Sequence, residues 1–570
     1  MLTIFCFAPV SGSVSASVFA SLKDYLVEEK TWHSPLLEQD LHVGIYFDSA
    51  RWSDSSGPAE TIVYVKNTSV PQMGHEKDEG IIESLLTEKC PRSRPAAVVT
   101  LDYRSDEKAK PPQLEKDLWE FHRALRGHET TSIWDNVSLP VRRHHERVFF
   151  IPSGWRVDRS RTFWKHHEHG AQGTREELIR RYNSHVAGPG KLDDHPHRDG
   201  DRKPVESIEE MIRTPGEPLD LDLRMDVIYP SEAERPLPVM KWEHTNIARN
   251  PSISHERQRW YTIGFPFRGY VYANVDHNHC PVWRGYYNFS GYSLSGYNGL
   301  ASASAAVRFL RAHSEKYNIS TDKIGAMGHS RSAYPVMRLT DPDHAGTTER
   351  HAFEGHDPGP HDPQPWPGYS SEITAGYYSM GWVYWNSQYL SPSSVPVMVV
   401  SGEHDGVVNH HKRFAGELEA LDIENVNFIM EGIGHDPPYG YDNVLGRDRY
   451  ELFCTFFDYH LKPDMYEGPL VLYTTPHSES KEVSARIPVE IQFAGRIDEK
   501  SAIEGGGLQV LKLPEEVAVE GSWEIKNGHT RFIFVPEDEW EGRYIVKTGE
   551  HLRGMDGSPV HGAEEVEFSR

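Results

Sequence analysis

Three residues able to build an activated hydroxyl nucleophile stand at the ends of three apolar runs. Ser330 lies in Gly328-His329-Ser330-Arg331-Ser332, directly after the strand-like Lys323-Ile324-Gly325-Ala326-Met327 and before a helical stretch. Asp405 follows the apolar run from Val395 to Val400 within Glu403-His404-Asp405-Gly406, and His435 follows the run from Val426 to Met430 within Ile433-Gly434-His435-Asp436. A serine hydroxyl is a weak nucleophile until an imidazole takes its proton, and a carboxylate on the far ring nitrogen fixes the tautomer and stabilises the cation that forms. Taken singly, Asp405 reads equally well as a loop-capping carboxylate, and His435 as one of 32 histidines in solvent. Taken together they sit where the side chains of a parallel sheet converge, at the carboxyl ends of its strands.

The elements that must position them follow a strand–turn–helix order at Ser330. This stretch resembles the nucleophile elbow of the α/β-hydrolases, in which the turn strains the serine backbone and the residues two places away must be small. Gly328 meets that requirement, and Ser332 stands where the family usually has a second glycine. The chain order Ser330, Asp405, His435 is also that of the family. The resemblance implies that Ser330 is the nucleophile, His435 the base and Asp405 its carboxylate partner. It implies a first oxyanion donor in the backbone N–H of Arg331. A second is expected from Glu243-His244-Thr245-Asn246, after the strand-like LPVMKW, where the family often has His-Gly-Gly; Thr245 is preferred to Asn246. Two rival acids are Glu403 and the carboxylates of His351-Ala352-Phe353-Glu354-Gly355-His356-Asp357, which reads as the next strand and turn after the nucleophile helix.

From Leu221 to about Pro463 the chain is similar to the dienelactone-hydrolase, acetyl xylan esterase and prolyl-oligopeptidase assemblage. The fold expected is α/β, with a doubly wound, mainly parallel sheet; fold does not choose the substrate. The leading expectation is a serine carboxylic-ester hydrolase acting on acyl esters of polysaccharide or phenolic compounds through an acyl-enzyme. A prolyl-oligopeptidase-type serine peptidase is one alternative, although the first 220 residues show βα units and no propeller blades. The other is a non-catalytic binding or scaffold protein with a vestigial site.

A length of 570 residues implies three to four domains. Residues 1–20 read as a signal segment, with apolar Met1–Val10 followed by Val14-Ser15-Ala16 or Val18-Phe19-Ala20 as a cleavage site, which implies a secreted or periplasmic protein. Residues 21–185 read as an N-terminal α/β domain, 186–220 as a Gly-, Pro- and Asp-rich linker, and 221–465 as the catalytic domain. Residues 466–570 carry short alternating strands, with Asn527-Gly528 as a two-residue hairpin turn between two of them, and read as a small all-β sandwich resembling bacterial Ig-like domains. The two α/β patterns can be superposed: LHVGIYFDSA from Leu41 on LRMDVIYPSE from Leu223, VVTLDY from Val98 on YANVDH from Tyr272, DLWEFHRAL on AAVRFLRAH, and VFFIPSGWRV on IGAMGHSRSA. The first pattern then reads as a degenerate repeat without a nucleophile turn.

The formal charge of −24 over the chain argues against nucleic acid or an anionic membrane as a partner. No run approaches the length of a membrane helix. A small-molecule or polysaccharide ester is the expected partner. Trp366, Tyr369, Trp382 and Trp385 belong to an aromatic-rich stretch between nucleophile and acid; they suit stacking on sugar or aryl groups, or form that insertion's own core. The histidine-rich pieces at His144-His145-Glu146, His166-His167-Glu168-His169 and His195-Pro196-His197 lack HExxH spacing, and no dinucleotide or P-loop motif is present, so neither a metal nor an organic cofactor is expected.

Overall fold

The computed structural model describes residues 22–51, 60–66, 78–87, 96–103, 112–125, 148–166, 221–247, 264–277, 302–342, 366–381, 390–435 and 440–570, the last without 479, 482, 485 and 563. The segments 1–20 and 186–220, read above as signal and linker, lie outside them.

The first sheet contains β1 (Leu26–Ser34), β2 (Gln39–Phe47), β3 (Glu60–Lys66), β4 (Ala96–Asp102) and β5 (Val148–Pro152), in the order β1-β2-β4-β3-β5. Its helices are α1 (Asp78–Thr87) and α2 (Gln113–Leu125). On α2, Leu114, Leu118, Phe121 and Leu125 recur at helical spacing and are all buried. The second sheet has eight strands: β6 (Trp155–His166), β7 (Leu221–Pro230), β8 (Leu237–Ile247), β9 (Val271–His277), β10 (Ile319–His329), β11 (Ala375–Ser379), β12 (Val397–Gly402) and β13 (Asn425–Met430). Their order is β13-β12-β11-β10-β8-β9-β7-β6, parallel from β13 to β9 and antiparallel at β9/β7 and β7/β6. Continuous apolar runs such as VMVVSG in β12, buried at every position, are what a sheet covered on both faces requires. Covering helices include α3 (302–312), α4 (Ala333–Leu339), α5 (Val408–Ala420) and α6 (Arg449–Leu461).

One boundary differs from the sequence reading. The first described strand after α4 is β11, with the sequence AGYYS; its Tyr377 and Tyr378 are buried in the sheet. Strand β6, assigned above to the N-terminal domain, is the edge of the eight-stranded sheet, so that sheet begins before the linker. Arg159 on β6 donates to Glu60 on β3 at 3.0 Å, with both side chains buried, and one apolar core runs through both sheets.

The first sheet and the adjoining half of the second repeat one pattern. The orders β1-β2-β4-β3-β5 and β6-β7-β9-β8-β10 match, and so do the strand directions. Register agrees with the sequence superposition as well. Val43 pairs with Leu101 as Met225 pairs with Val275.

The C-terminal segment forms two four-stranded antiparallel sheets around their own core. One holds β16 (Leu470–Thr475), β17 (Val489–Ala494), β21 (Arg531–Pro536) and β20 (Gly521–Lys526); the other holds β19 (Val517–Ala518), β18 (Leu508–Leu513), β22 (Arg543–Thr548) and β23 (Glu565–Ser569). A small hairpin, β14 (Tyr441–Asp442) with β15 (Arg447–Asp448), precedes α6. The Asn527-Gly528 turn is a four-residue loop, 527–530, because Lys526 pairs with Arg531. Asn527, Gly528 and His529 all take positive φ, and the loop presses on the free edge of β13. Asn425 donates its N–H to the Asn527 carbonyl at 3.3 Å, and its own carbonyl accepts from Thr530 Oγ1 at 2.7 Å. Asn427 Nδ2 donates to Asn527 Oδ1 at 3.0 Å. The sheet edge is thereby closed, as an exposed ladder of backbone groups would otherwise invite pairing.

A buried ion cluster docks the N-terminal sheet on the elements around the second. Arg268 donates to both oxygens of Glu115 on α2, at 2.8 and 3.0 Å, and also faces Glu451 and Asp458 on α6. Burial works against the charged guanidinium, and the neighbouring Cys454 and Glu115 outweigh it, so its pKa stands well above the ordinary value. Removing one partner of such a pair leaves a buried charge uncompensated. Arg268→Met is expected to destabilise the chain by about 3–5 kcal/mol, with part of the loss recovered in the Arg268→Met/Glu115→Gln double variant. Urea unfolding of the parent, Arg268→Met, Glu115→Gln and the double variant measures both quantities.

Candidate active site

The last residue of β10, His329, leads into a single 3-10 turn, Ser330–Ser332, before α4. Ser330 takes the left-handed φ of 59°, a conformation that costs a non-glycine residue of order 1–3 kcal/mol and is held only by its surroundings. Those surroundings are visible. A Cβ on Gly328 would come within 2.2 Å of the Ser332 carbonyl oxygen, so only glycine lets strand and turn pass. Ser332 is fully buried; its Oγ accepts from the His329 N–H at 3.0 Å and donates to the His329 carbonyl at 2.8 Å. The serine in place of a second glycine therefore ties the turn together with two hydrogen bonds.

His435 joins the other two residues. Its Nε2 lies 2.9 Å from Ser330 Oγ and its Nδ1 lies 2.9 Å from Asp405 Oδ2. A carboxylate can only accept, so Nδ1 carries the proton in the neutral ring and Nε2 presents its lone pair to the hydroxyl. The Asp405 side chain is 3% exposed and that of His435 41%. Asp405 also accepts the Val407 N–H on Oδ1 at 3.1 Å, which fixes the carboxylate plane.

The acid and histidine loops are stitched to each other. Glu403 N–H donates to the Met430 carbonyl at 3.0 Å and His404 N–H to the Ile433 carbonyl at 2.9 Å. A Cβ on Gly402 would lie 2.2 Å from the Gly434 carbonyl oxygen, so this approach also needs glycine. Glu403, considered above as a rival acid, accepts the Gly432 N–H at 3.0 Å and serves the histidine loop instead. The other rival, 351–357, lies outside the described residues.

Arg331 follows Ser330 in the 3-10 turn. Thr245 lies within β8, which continues to Ile247 and beyond the predicted end at Trp242. Pairing with β10 stops at Glu243 and pairing with β9 shifts register between Glu243 and Ile247, so Thr245 falls in an interruption of the ladder on both sides. The aromatic expectation is corrected in part. Trp366 packs on Phe309 and His313, with ring centroids 5.4 and 4.8 Å apart, at the end of α3 remote from Ser330. Tyr369 is exposed in the same loop, which is tied by Arg311 to Ser370 and to Thr321 at the start of β10. Both serve the opposite end of the sheet because the loop leads into β11 from its amino end. Trp382 and Trp385 lie outside the described residues, as do the histidine-rich pieces apart from the backbone of His166. Sequence reasoning missed His329 and Ser379, which meet beside His435, and Gly381, which packs on the elbow. Only the HS pair within the elbow hinted at the first.

No helix among the described residues is long and apolar enough to cross a membrane. No family model and no curated protein matches the chain. Among solved structures, it is similar to a truncated carbohydrate esterase from gut microbiota, at 11% identity and a TM-score of 0.29 over 37% of this chain and 83% of the other. A bifunctional GH43-CE protein of Bacteroides eggerthii matches at 15% identity and a TM-score of 0.30, over 38% of this chain and 31% of the other. Esterase 2 of Thermogutta terrifontis, phosphonylated by cyclosarin, matches at 14% identity and a TM-score of 0.29, over 38% and 80%. Likeness at this level carries no argument about the reaction, which rests on the residues themselves.

Beside the acid loop, α5 begins three residues after Asp405 and buries His411, whose pKa burial pushes down to about 4. The folded value lies below the unfolded one, near 6.5, so the stability that depends on a neutral ring is complete above that pH and is lost as pH falls toward 4. Chemical denaturation is expected to show a loss of about 2 kcal/mol from this group between about pH 7 and pH 5. His411→Leu is expected to flatten that slope.

Proposed function

We propose that this chain is a serine carboxylic-ester hydrolase of α/β-hydrolase fold, working through Ser330, His435 and Asp405. One observation carries the reading: a single imidazole lies 2.9 Å from a strained serine hydroxyl and 2.9 Å from a buried carboxylate. The strand order of the eight-stranded sheet, with its antiparallel second strand near one edge, supports the fold.

The chemistry follows from the geometry. Ser330 Oγ attacks the acyl carbon as its proton passes to His435 Nε2, and Asp405 stabilises the resulting imidazolium through Nδ1. The carbonyl oxygen becomes an oxyanion and needs donors that do not move. The Arg331 N–H supplies one from the turn, and the backbone at Thr245 supplies the second from the interrupted end of β8. His435 then gives its proton to the departing alcohol, which leaves an acyl-Ser330 ester. Water, activated by the same imidazole, attacks this ester and releases the acid.

The substrate class proposed is an acyl ester of polysaccharide or a phenolic ester, met outside the cytoplasm after cleavage of the 1–20 segment, and the β-sandwich is read as an Ig-like module. Residues 21–185 are proposed to be a degenerate copy of the hydrolase's first half. Superposition places Gly154, at φ 78°, where the other copy has Ser330, so the turn keeps its left-handed residue and lacks the hydroxyl. Tyr64 OH accepts the Gly154 N–H at 2.8 Å and donates to Asp78, which also accepts from Ser153. The old elbow thus becomes a knotted joint that sends the chain into β6.

Purified protein is expected to hydrolyse p-nitrophenyl acetate or methyl ferulate, and Ser330→Ala to lower kcat by a factor on the order of 10⁴ or more. A peptide p-nitroanilide is expected to remain intact. Cleavage of the anilide alone favours the peptidase, and ester turnover surviving in Ser330→Ala refutes the assignment.

A further inference from the structure

His435 is held at both nitrogens by hydrogen bonds that lie in the plane of its ring. Such bonds fix rotation within the plane and resist tilting out of it weakly, and 41% of the side chain is exposed. Among the described residues, the ring beside it is His329, whose centroid lies 5.2 Å from that of His435 at a tilt of 44°. That separation is within the contact range of planar rings.

His329 is itself immobilised. It is 1% exposed, and its Nδ1 shares a hydrogen bond of 3.1 Å with Ser379 Oγ. His329 and Ser379 are register partners at the ends of the parallel pair β10 and β11, so the backbone ladder places both side chains on the same face. Ser379 is fully buried, which excludes a second serine–histidine nucleophile here because no substrate could reach it.

We propose that His329 is a positioning residue for the reaction inferred above: pinned by Ser379, its ring is the wall that keeps the His435 imidazole in the plane shared by Asp405 and Ser330. The residue before the nucleophile then does two jobs. Its backbone holds the elbow through Ser332, and its side chain aligns the base that the elbow serine needs. The inference rests on the serine-hydrolase reading. Since both acylation and deacylation run through His435, a loosened ring lowers kcat and leaves substrate affinity alone.

The test compares His329→Ala, His329→Phe and Ser379→Ala with the full-length protein, using kcat and KM for p-nitrophenyl acetate, the pH profile of kcat/KM, and thermal melting. A displacement of about 1 Å in such a group costs up to about 100-fold in rate. His329→Ala is expected to lose about 10- to 100-fold in kcat with KM within about twofold, and His329→Phe, which restores a flat ring, to recover most of it. Ser379→Ala, which leaves the wall in place without its pin, is expected to fall between them, with a melting temperature near that of the parent. The proposal is overturned if His329→Ala keeps the parent kcat, or if His329→Phe is as slow as His329→Ala. Should His329→Ala fail to fold, a parental kcat in Ser379→Ala overturns it. Inactivity of the parent protein itself, equal to that of Ser330→Ala, removes the underlying reading, an outcome distinct from an active parent with indifferent variants.

Discussion

A serine held at a positive φ is the constraint on which the rest of the molecule depends. At φ 59° Ser330 cannot relax into strand or helix, and its hydroxyl is thrown outward at the carboxyl end of β10. The strain persists because Gly328 admits the turn, Ser332 ties it, and Gly381 packs on it from beyond β11. His435 then arrives from the far edge of the sheet. Its strand, β13, is an edge strand, and the 527–530 loop of the β-sandwich takes up the backbone groups of Asn425. The C-terminal segment is therefore bound into the same mechanical frame as His435.

Much of this frame was legible in the sequence because its signals are local. Apolar runs with small residues at their ends mark β10, β12 and β13, and Ser330, Asp405 and His435 each follow one of them. Strand β11 escaped notice because AGYYS is short and lies within the stretch read as aromatic-rich, while the sheet uses its tyrosines as core. Trp366 misled for the related reason that aromatic type says nothing about which end of a sheet a loop occupies. The membership of β6 in the second sheet was hidden because Gly154 turns the chain within what reads as one domain. The pairing of Arg268 with Glu115, 153 positions apart, has no sequence signature at all.

The superposition of the two α/β patterns gains from register. A chance match of βα units would reproduce strand order more readily than the cross-strand partners, yet Met225 with Val275 and Val43 with Leu101 correspond in both sheets. At the corresponding turn Gly154 stands where the second sheet has Ser330, and Asp78 accepts hydrogen bonds from Tyr64 and Ser153 beside it. The shared core and the buried pair of Arg159 with Glu60 tie the two sheets together.

The claim at the centre is that Ser330 is a nucleophile activated by His435. Intact mass spectrometry after exposure to a fluorophosphonate measures this without knowledge of the substrate, because phosphonylation needs the same activated hydroxyl. One adduct per chain is expected, located on the peptide that contains Ser330 and absent in Ser330→Ala. A chain that stays unmodified, or that carries its adduct on another residue, would contradict it.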